Sequence, residues 1–337
     1  MKPVLFVAFS FCFAIALHAQ LPTVYLMDGA YLAAIKQKAS SHDTSAQNLI
    51  SALRRKADPF LTMKPVSVMD KEFVPASGNK HDYMSQAPYF WYDSTKPNGL
   101  PYKRRDGERN PEIYKITDKK YLDQMEGAIK TLSLAWYFTG EKKYADKASS
   151  LIRYWFTDTA TRMNPNLDYG QAIPGINTGR GIGIIESRTL TGIVDAIGLL
   201  QNSDAWKPAD TKALQQWYSQ FLQWMLTSKN GKEEHAAKNN HGTFYYVQVI
   251  DFALFAGEKE KARQLALESK ALLDSQLTAE GSQPLELERT RALSYSSMNL
   301  AGWFDVARLA EKAGVDLWKL TTSKGATIRT ALDWLSP

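Results

Sequence analysis

From Asp118 onward the apolar positions fall at helical intervals. Leu122, Met125, Ile129, Leu132 and Trp136 recur at alternating steps of three and four, which puts them on one helix face, and Gly140 follows as a stop. A second helix is predicted from about Lys142 to Phe156. The stretch FTGEKKYADKA, Phe138 to Ala148, returns in altered form as FAGEKEKARQL, Phe255 to Leu265, with Phe, Gly, Glu, Lys and Ala at matching places. Both read as helix, glycine turn, helix. A lone helical hairpin cannot cover its own apolar stripe, so repeated hairpins imply stacked antiparallel pairs. Further helices are predicted at Glu186–Leu200, Pro208–Thr227, Gly242–Ala256, Lys259–Gln276 and Arg291–Ala313. Strand-like alternation is scarce. The expected fold class is all-α, an array of antiparallel hairpins forming an (α/α) toroid or barrel, or left as an arc; periodicity does not choose between closure and arc.

Two segments break this pattern. Residues 77–112, SGNKHDYMSQAPYFWYDSTKPNGLPYKRRDGERNPE, are too long, aromatic and charged for a simple connector, and such loops inside a compact domain are usually functional or disordered. Their aromatics argue against disorder. The other segment, NPNLDYGQAIPGINTGRGIGIIESR from Asn164 to Arg188, places glycines, amides and arginines ahead of a helix. Gly179, Gly181 and Gly183 alternate there, but no predicted strand precedes them, so a dinucleotide-binding fingerprint is not supported.

The chain's 337 residues, 44% hydrophobic, have a globular composition without an obvious split, so one domain over 20–337 is expected. Residues 1–19 carry a lysine, an apolar stretch too short to span a bilayer and a small residue at Ala19, the layout of a secretory signal peptide. An exported, periplasmic or secreted protein is therefore expected. Cys12, the one cysteine, lies inside that leader, so disulfides, zinc–thiolate sites and cysteine nucleophiles are excluded from the processed chain. The net charge of +6 falls to +5 once Lys2, the one charged residue of 1–19, is removed. That excess is compatible with a polyanionic partner. No basic run interleaved with aromatics occurs, which argues against nucleic acid.

Two short stretches concentrate hydrogen-bonding groups. KNNHGTFYYVQ, Lys238 to Gln248, sets two amides, an imidazole and a glycine before an apolar helix. Asn240 has a structural reading as the cap of a helix beginning near Gly242, with Asn239 satisfying loop backbone. His241 beside a glycine adds a chemical one. In QPLELERTRALSY, Gln283 to Tyr295, helical spacing puts Arg291 and Tyr295 on one face and turns Arg289 elsewhere, unless the helix begins only at Thr290. An ion-pair network of Glu286, Glu288, Arg289 and Arg291 is the structural alternative. His235 and His241 stand six apart rather than four, and no metal or cofactor is expected.

Taken together, NNHG before a helix and the later RALSY resemble the alginate lyase superfamily of helical-toroid polysaccharide lyases. The loop DYMSQAPYFWYD to GLPYKRRDGERNPE and the segment GRGIGIIESR extend the likeness to an exported branch found in polysaccharide-degrading systems of Bacteroidetes-type bacteria. The position seven before the tyrosine, an arginine in better-known alginate lyases, is Glu288, with Arg289 and Arg291 on either side. The resemblance implies β-elimination on a uronate polysaccharide, alginate first and glucuronan second. Such a reaction needs the substrate carboxylate neutralised, a base for the C5 proton and an acid for the departing C4 oxygen. Asn240, His241, Arg289 and Tyr295 are then the catalytic candidates. Asn239, Gln86, Tyr89, Trp91, Arg104, Gln171, Arg180, Arg188 and Arg291 are the substrate-binding candidates, with Tyr102 and Arg105 as further groove residues. A glycoside hydrolase on a similar toroid would instead need two facing carboxylates, drawn from Asp106, Glu186, Glu286 and Glu288. A non-catalytic glycan-binding protein would use the aromatic loop alone.

Overall fold

The computed structural model describes residues 21–336, so the leader expected at 1–19 lies outside the described residues. Helices α1 (Gly29–Ser40) and α2 (Thr44–Leu61) come first, followed by α3 (Asp118–Thr139), α4 (Lys142–Phe156), α5 (Leu190–Leu200) and α6 (Pro208–Thr227). Short α7 (Lys229–His235) then leads into α8 (Asn240–Phe255), α9 (Lys259–Gln276), one-turn α10 (Pro284–Leu287), α11 (Ala292–Lys312) and α12 (Ile328–Leu335). This is the all-α hairpin toroid expected. The two repeated turns are built as read: Gly140 (φ 68°) ends α3 and Gly257 (φ 82°) follows α8, both in the left-handed region that glycine enters without a Cβ clash.

Burial sorts the helices into two layers. Ten of the eleven residues of α5, all but Gly192, are buried, and in α8 every residue except His241 is buried. Helices apolar all round belong to an inner wall. Contacts run α3 to α5, α5 to α8 and α8 to α11 along that wall, while α4, α6 and α9 cover it from outside and α2 and α12 pack at its ends. The predicted bounds of α4, α6 and α9 match the observed ones. Helix α8 starts two residues earlier than predicted, and nine residues ahead of α5 form a 3₁₀ turn, Gly181–Thr189, instead of regular helix.

The wall has polarity. At one end, the segment Tyr25–Met27 donates three backbone N–H groups to the Asp195 carboxylate on α5. The Tyr25 hydroxyl donates to Leu254 O near the end of α8, and Arg308 of α11 donates to Leu26 O. At the opposite end the first turns of α3, α8 and α11 open together onto a single cleft.

The two irregular segments roof that cleft. Strand β1 (Met84–Gln86), from the first, pairs in parallel with β4 (Tyr169–Ala172), from the second, and β2 (Phe90–Trp91) pairs antiparallel with β3 (Lys103–Arg104). The glycines of the second segment serve close approach. A Cβ on Gly183 would come within 2.6 Å of the Gly170 backbone, and one on Gly179 would strike Asp168 O. Beneath the roof, Lys71 and Asp118 form a wholly buried ion pair at 3.1 Å, and Asp118 also accepts from Met84 N at 2.9 Å, which anchors β1.

Candidate active site

The cleft encloses about 1150 Å³. Its wall gathers Asn239, Asn240, His241, Arg289 and Tyr295 with Gln86, Tyr89, Arg104, Gln171, Arg180 and Arg188. Residues far apart in sequence are thus brought to one place by the shared direction of α8 and α11.

Asn239, not Asn240, caps α8; its side chain accepts from His241 N at 3.2 Å. The capping expected of Asn240 is corrected accordingly, and the residue is buried in the first turn. There its backbone N–H donates to Glu286 Oε1 at 2.6 Å, and its amide donates to Glu286 Oε2 at 2.8 Å. Burial pushes the Glu286 carboxyl up, while the bonds from Asn240 pull it down. His241 turns its Nδ1 to Glu234 Oε1 at 2.8 Å. Glu234 is buried on α7, which raises its carboxyl pKa against the pull of His241.

Around Tyr295 the geometry is tight. Its hydroxyl lies 2.8 Å from Arg289 Nη2, which donates to it, and 3.0 Å from the Tyr89 hydroxyl. Arg289 also lies 3.7 Å over the Tyr295 ring. Burial first, then the bond to Tyr89, pushes the Tyr295 phenol up to about 12, with Arg289 working the other way. Arg289 is itself held from behind by Asp106, through Nε at 3.3 Å and Nη2 at 3.0 Å. Although burial opposes it, the bonds from Arg289 and Arg104 hold the Asp106 carboxyl down to about 2.

Arg291 is a correction. It is exposed, sits at the cap of α11 and does not line the cleft. Because α11 begins only at Ala292, residues 289–291 follow no helical phase, and the turn swings Arg289 onto Tyr295. Trp91 is a second correction. It braces the roof from outside the cleft, donating Nε1 to Glu108 O at 2.9 Å with Arg105 5.3 Å over its ring. Tyr102 likewise lies outside the cleft lining and donates to Glu112 at 2.7 Å.

Farther along the wall, Arg180 donates to Gln171 Oε1 at 2.8 Å and lies 5.2 Å over the Phe90 ring. Gln171 holds φ at +50°, an uncommon conformation for a residue with a Cβ and one that recurs at functional sites. Arg188 stacks 4.9 Å over Phe244. Arg109, Lys119 and Lys120 add cationic charge, and Tyr114 an exposed ring, none of which the sequence patterns singled out. The supporting carboxylates Glu234 and Glu286 were likewise not assigned to this role; the signal for Glu234 was its place seven residues before His241.

Of the carboxylates that hydrolysis would draw on, Glu288 is exposed and does not line the cleft, and the other three are engaged. Glu186 accepts from Tyr83 at 2.8 Å and Ser85 at 2.5 Å, Glu286 is taken by Asn240, and Asp106 by two arginines. Beside them the cleft presents amide, imidazole, guanidinium and phenol, with Asp123 at its wall paired to Lys119.

The alginate lyase family model matches residues 67–337. An alginate lyase from Bacteroides ovatus, known from its crystal structure, is 42% identical, with a TM-score of 0.90 over 94% of this chain and 83% of that one. Two variants of alginate lyase A1-III, each complexed with a tetrasaccharide, share the fold at 15% and 13% identity. Their TM-scores are 0.57 and 0.54, over 82% and 85% of this chain and 67% and 75% of theirs. No curated protein matches the chain. With four-fifths of its length under the family model and a relative this similar across nearly all of it, the chain belongs to the alginate lyase family.

Proposed function

We propose that this protein cleaves alginate by β-elimination, leaving a 4,5-unsaturated uronate at each new non-reducing end. The observation that carries the reading is the Tyr295 hydroxyl, 2.8 Å from Arg289 Nη2 in the cleft that Asn240 and His241 also line. In the reaction a base removes the C5 proton, the electron pair moves into the C4–C5 bond, and the C4–O bond breaks as the leaving oxygen takes a proton. The C5 proton is too weakly acidic while the adjacent carboxylate keeps its full charge, so that charge must be met by donors. Arg289 suits this, fixed from behind by Asp106, with Asn240 beside it in the cleft wall, where Glu286 holds its amide.

A phenol at about 12 is protonated at neutral pH and is therefore ready as the acid. In mannuronate the C5 proton and the leaving oxygen lie on one ring face, so Tyr295 serves both transfers: its own proton first leaves to solvent, the phenolate held by the Arg289 hydrogen bond takes the C5 proton, and the phenol so formed gives that proton to the leaving oxygen. In guluronate they lie on opposite faces, and His241 is the candidate base. The cationic side chains along the cleft and the N-terminal ends of α3, α8 and α11, which carry partial positive charge, suit a polyanion. Export, supported by the leader-like segment 1–19, fits a substrate met outside the cytoplasm.

The test is ultraviolet absorbance on polymannuronate, polyguluronate, glucuronan and pectin. Elimination creates a conjugated double bond, expected on the alginate polymers first. New reducing ends without that absorbance would mean hydrolysis, and binding without either would mean a glycan-binding protein; each overturns the proposal.

A further inference from the structure

Glu234 takes no part in the chemistry just described, yet it is buried directly behind one of the candidate catalytic side chains. It is 1% exposed, its Oε1 lies 2.8 Å from His241 Nδ1, and its Oε2 has no hydrogen-bond partner. A buried carboxylate with an unsatisfied oxygen is destabilising, so an isosteric amide or an apolar side chain would serve the fold better. Its placement is nonetheless rigid. Ser228 caps α7 through Gly231 N at 2.9 Å, and the neighbouring Glu233 accepts from Gly181 N at 3.1 Å, tying α7 to the 3₁₀ turn under the cleft. The other ring nitrogen of His241, Nε2, has no partner among the described residues, and the ring lines the cleft.

We propose that Glu234 is a positioning residue: it keeps the His241 proton on Nδ1 and turns the Nε2 lone pair to the cleft, so that the ring acts as base in guluronate elimination. This rests on the lyase reading above. The physical reason is that a carboxylate accepts a hydrogen bond and cannot donate one, so Nδ1 must carry the proton and Nε2 is left as the acceptor. Other charges also face the pair. Glu233 and Arg180 act on Glu234 with opposite signs, and Glu286 acts on His241 from α10 with Arg289 beyond it. Direct contact makes Glu234 the dominant one.

The experiment combines ¹⁵N-histidine NMR of the full chain with kinetics of Glu234→Gln; the His241 signal is the one lost in His241→Ala. The neutral wild-type ring is expected as the Nδ1–H form. In Glu234→Gln the side-chain amide can donate as well as accept, so the neutral His241 ring should gain the Nε2–H form in the same spectra. Polyguluronate kcat should drop at least about tenfold with KM little changed, within the hundred- to ten-thousandfold that a general base contributes in all. Polymannuronate kcat should stay within a few-fold. A wild-type ring protonated on Nε2 overturns the proposal, whether or not the variant folds. So does a Glu234→Gln variant whose ring stays wholly in the Nδ1–H form with wild-type kcat on polyguluronate, or a wild type that cleaves polymannuronate and not polyguluronate. A wild type inactive on every uronate polymer defeats the lyase reading instead, and the base role with it, while the NMR still decides the Glu234–His241 pairing.

Discussion

Asp106→Asn tests whether the cleft works through donors that are held in place rather than through charge alone. The carboxylate on the roof accepts from Arg289 Nε and Nη2, from Arg104 Nη2 at 2.8 Å and from Thr290 Oγ1 at 3.3 Å. The fall of its pKa from 3.8 to about 2 corresponds to roughly 2 kcal/mol of interaction, at about 1.4 kcal/mol per pH unit. With 23% of the side chain exposed, solvent screening reduces this to about 1 kcal/mol. Loosening the clamp by that much is worth about fivefold in rate, and a displacement of Arg289 by about 1 Å would raise the loss toward a hundredfold. The variant should therefore lose kcat by about five- to a hundredfold. KM should not rise, because the substitution removes a negative charge from a cleft that attracts a polyanion. Stability follows a definite sign. A depressed folded pKa contributes above the unfolded value of 3.8 and is lost as pH falls through about 2, so wild type and variant should converge in unfolding free energy between about pH 4 and pH 2. Initial rates on polymannuronate and urea unfolding across pH measure both. A folded Asp106→Asn with wild-type kcat, or with KM alone raised, would refute the clamp.

Three further outcomes are expected. Tyr295→Phe keeps the ring under Arg289 and removes only the proton donor, so every polymer should be cleaved about a hundred- to ten-thousandfold more slowly, measured as initial ultraviolet rate on the folded variant. Raising salt from about 0.05 to about 0.5 M should raise KM several-fold and change kcat little, since screening acts on the approach of the polyanion to Arg104, Arg109, Lys119 and Lys120 more than on enclosed contacts. Lys71→Ala leaves Asp118 buried without its cation and should lower unfolding free energy by about 3–5 kcal/mol in urea titration; a change below about 1 kcal/mol would show that Asp118 is protonated there without difficulty.

Where the sequence could be read, one physical rule sufficed. Helices α4, α6 and α9 cover the inner wall on a single face, so their apolar stripes and stops are visible in spacing alone. Helices α1 and α2 are not, because α1 buries no residue and α2 only Ala46 and Ala57. At the site, Asn240 and His241 stand out because they sit in the first turn of a helix whose remainder is largely apolar, and Tyr295 because it too falls in the first turn of its helix. The choice between Arg289 and Arg291 turned on where α11 begins, and helical spacing applied one residue too early favours the arginine that stays outside the cleft lining. Trp91 reads as a sugar platform from composition, yet Glu108 and Arg105 occupy it from the other side. The backing carboxylates were hardest to see, because acidic residues run against what a polyanion site is expected to contain.

Those acids explain how the site stays ordered. Asn240, His241 and Arg289 each have a carboxylate of their own behind them, Glu286, Glu234 and Asp106 respectively, and these come from three different elements, α10, α7 and the roof. Without them, an amide, an imidazole and a guanidinium facing a water-filled cleft would sample several rotamers, and reorganising them during proton transfer would add to the barrier. A backing carboxylate fixes the donor, and for Arg289 and a protonated His241 it also balances charge, so the cleft need not hold uncompensated cations when empty. The arriving uronate then meets side chains already held in place, at the end of the toroid where the helix dipoles add their positive ends. Removing a backing acid should accordingly act on kcat before it acts on binding, whereas removing a cationic side chain from the outer wall should do the reverse.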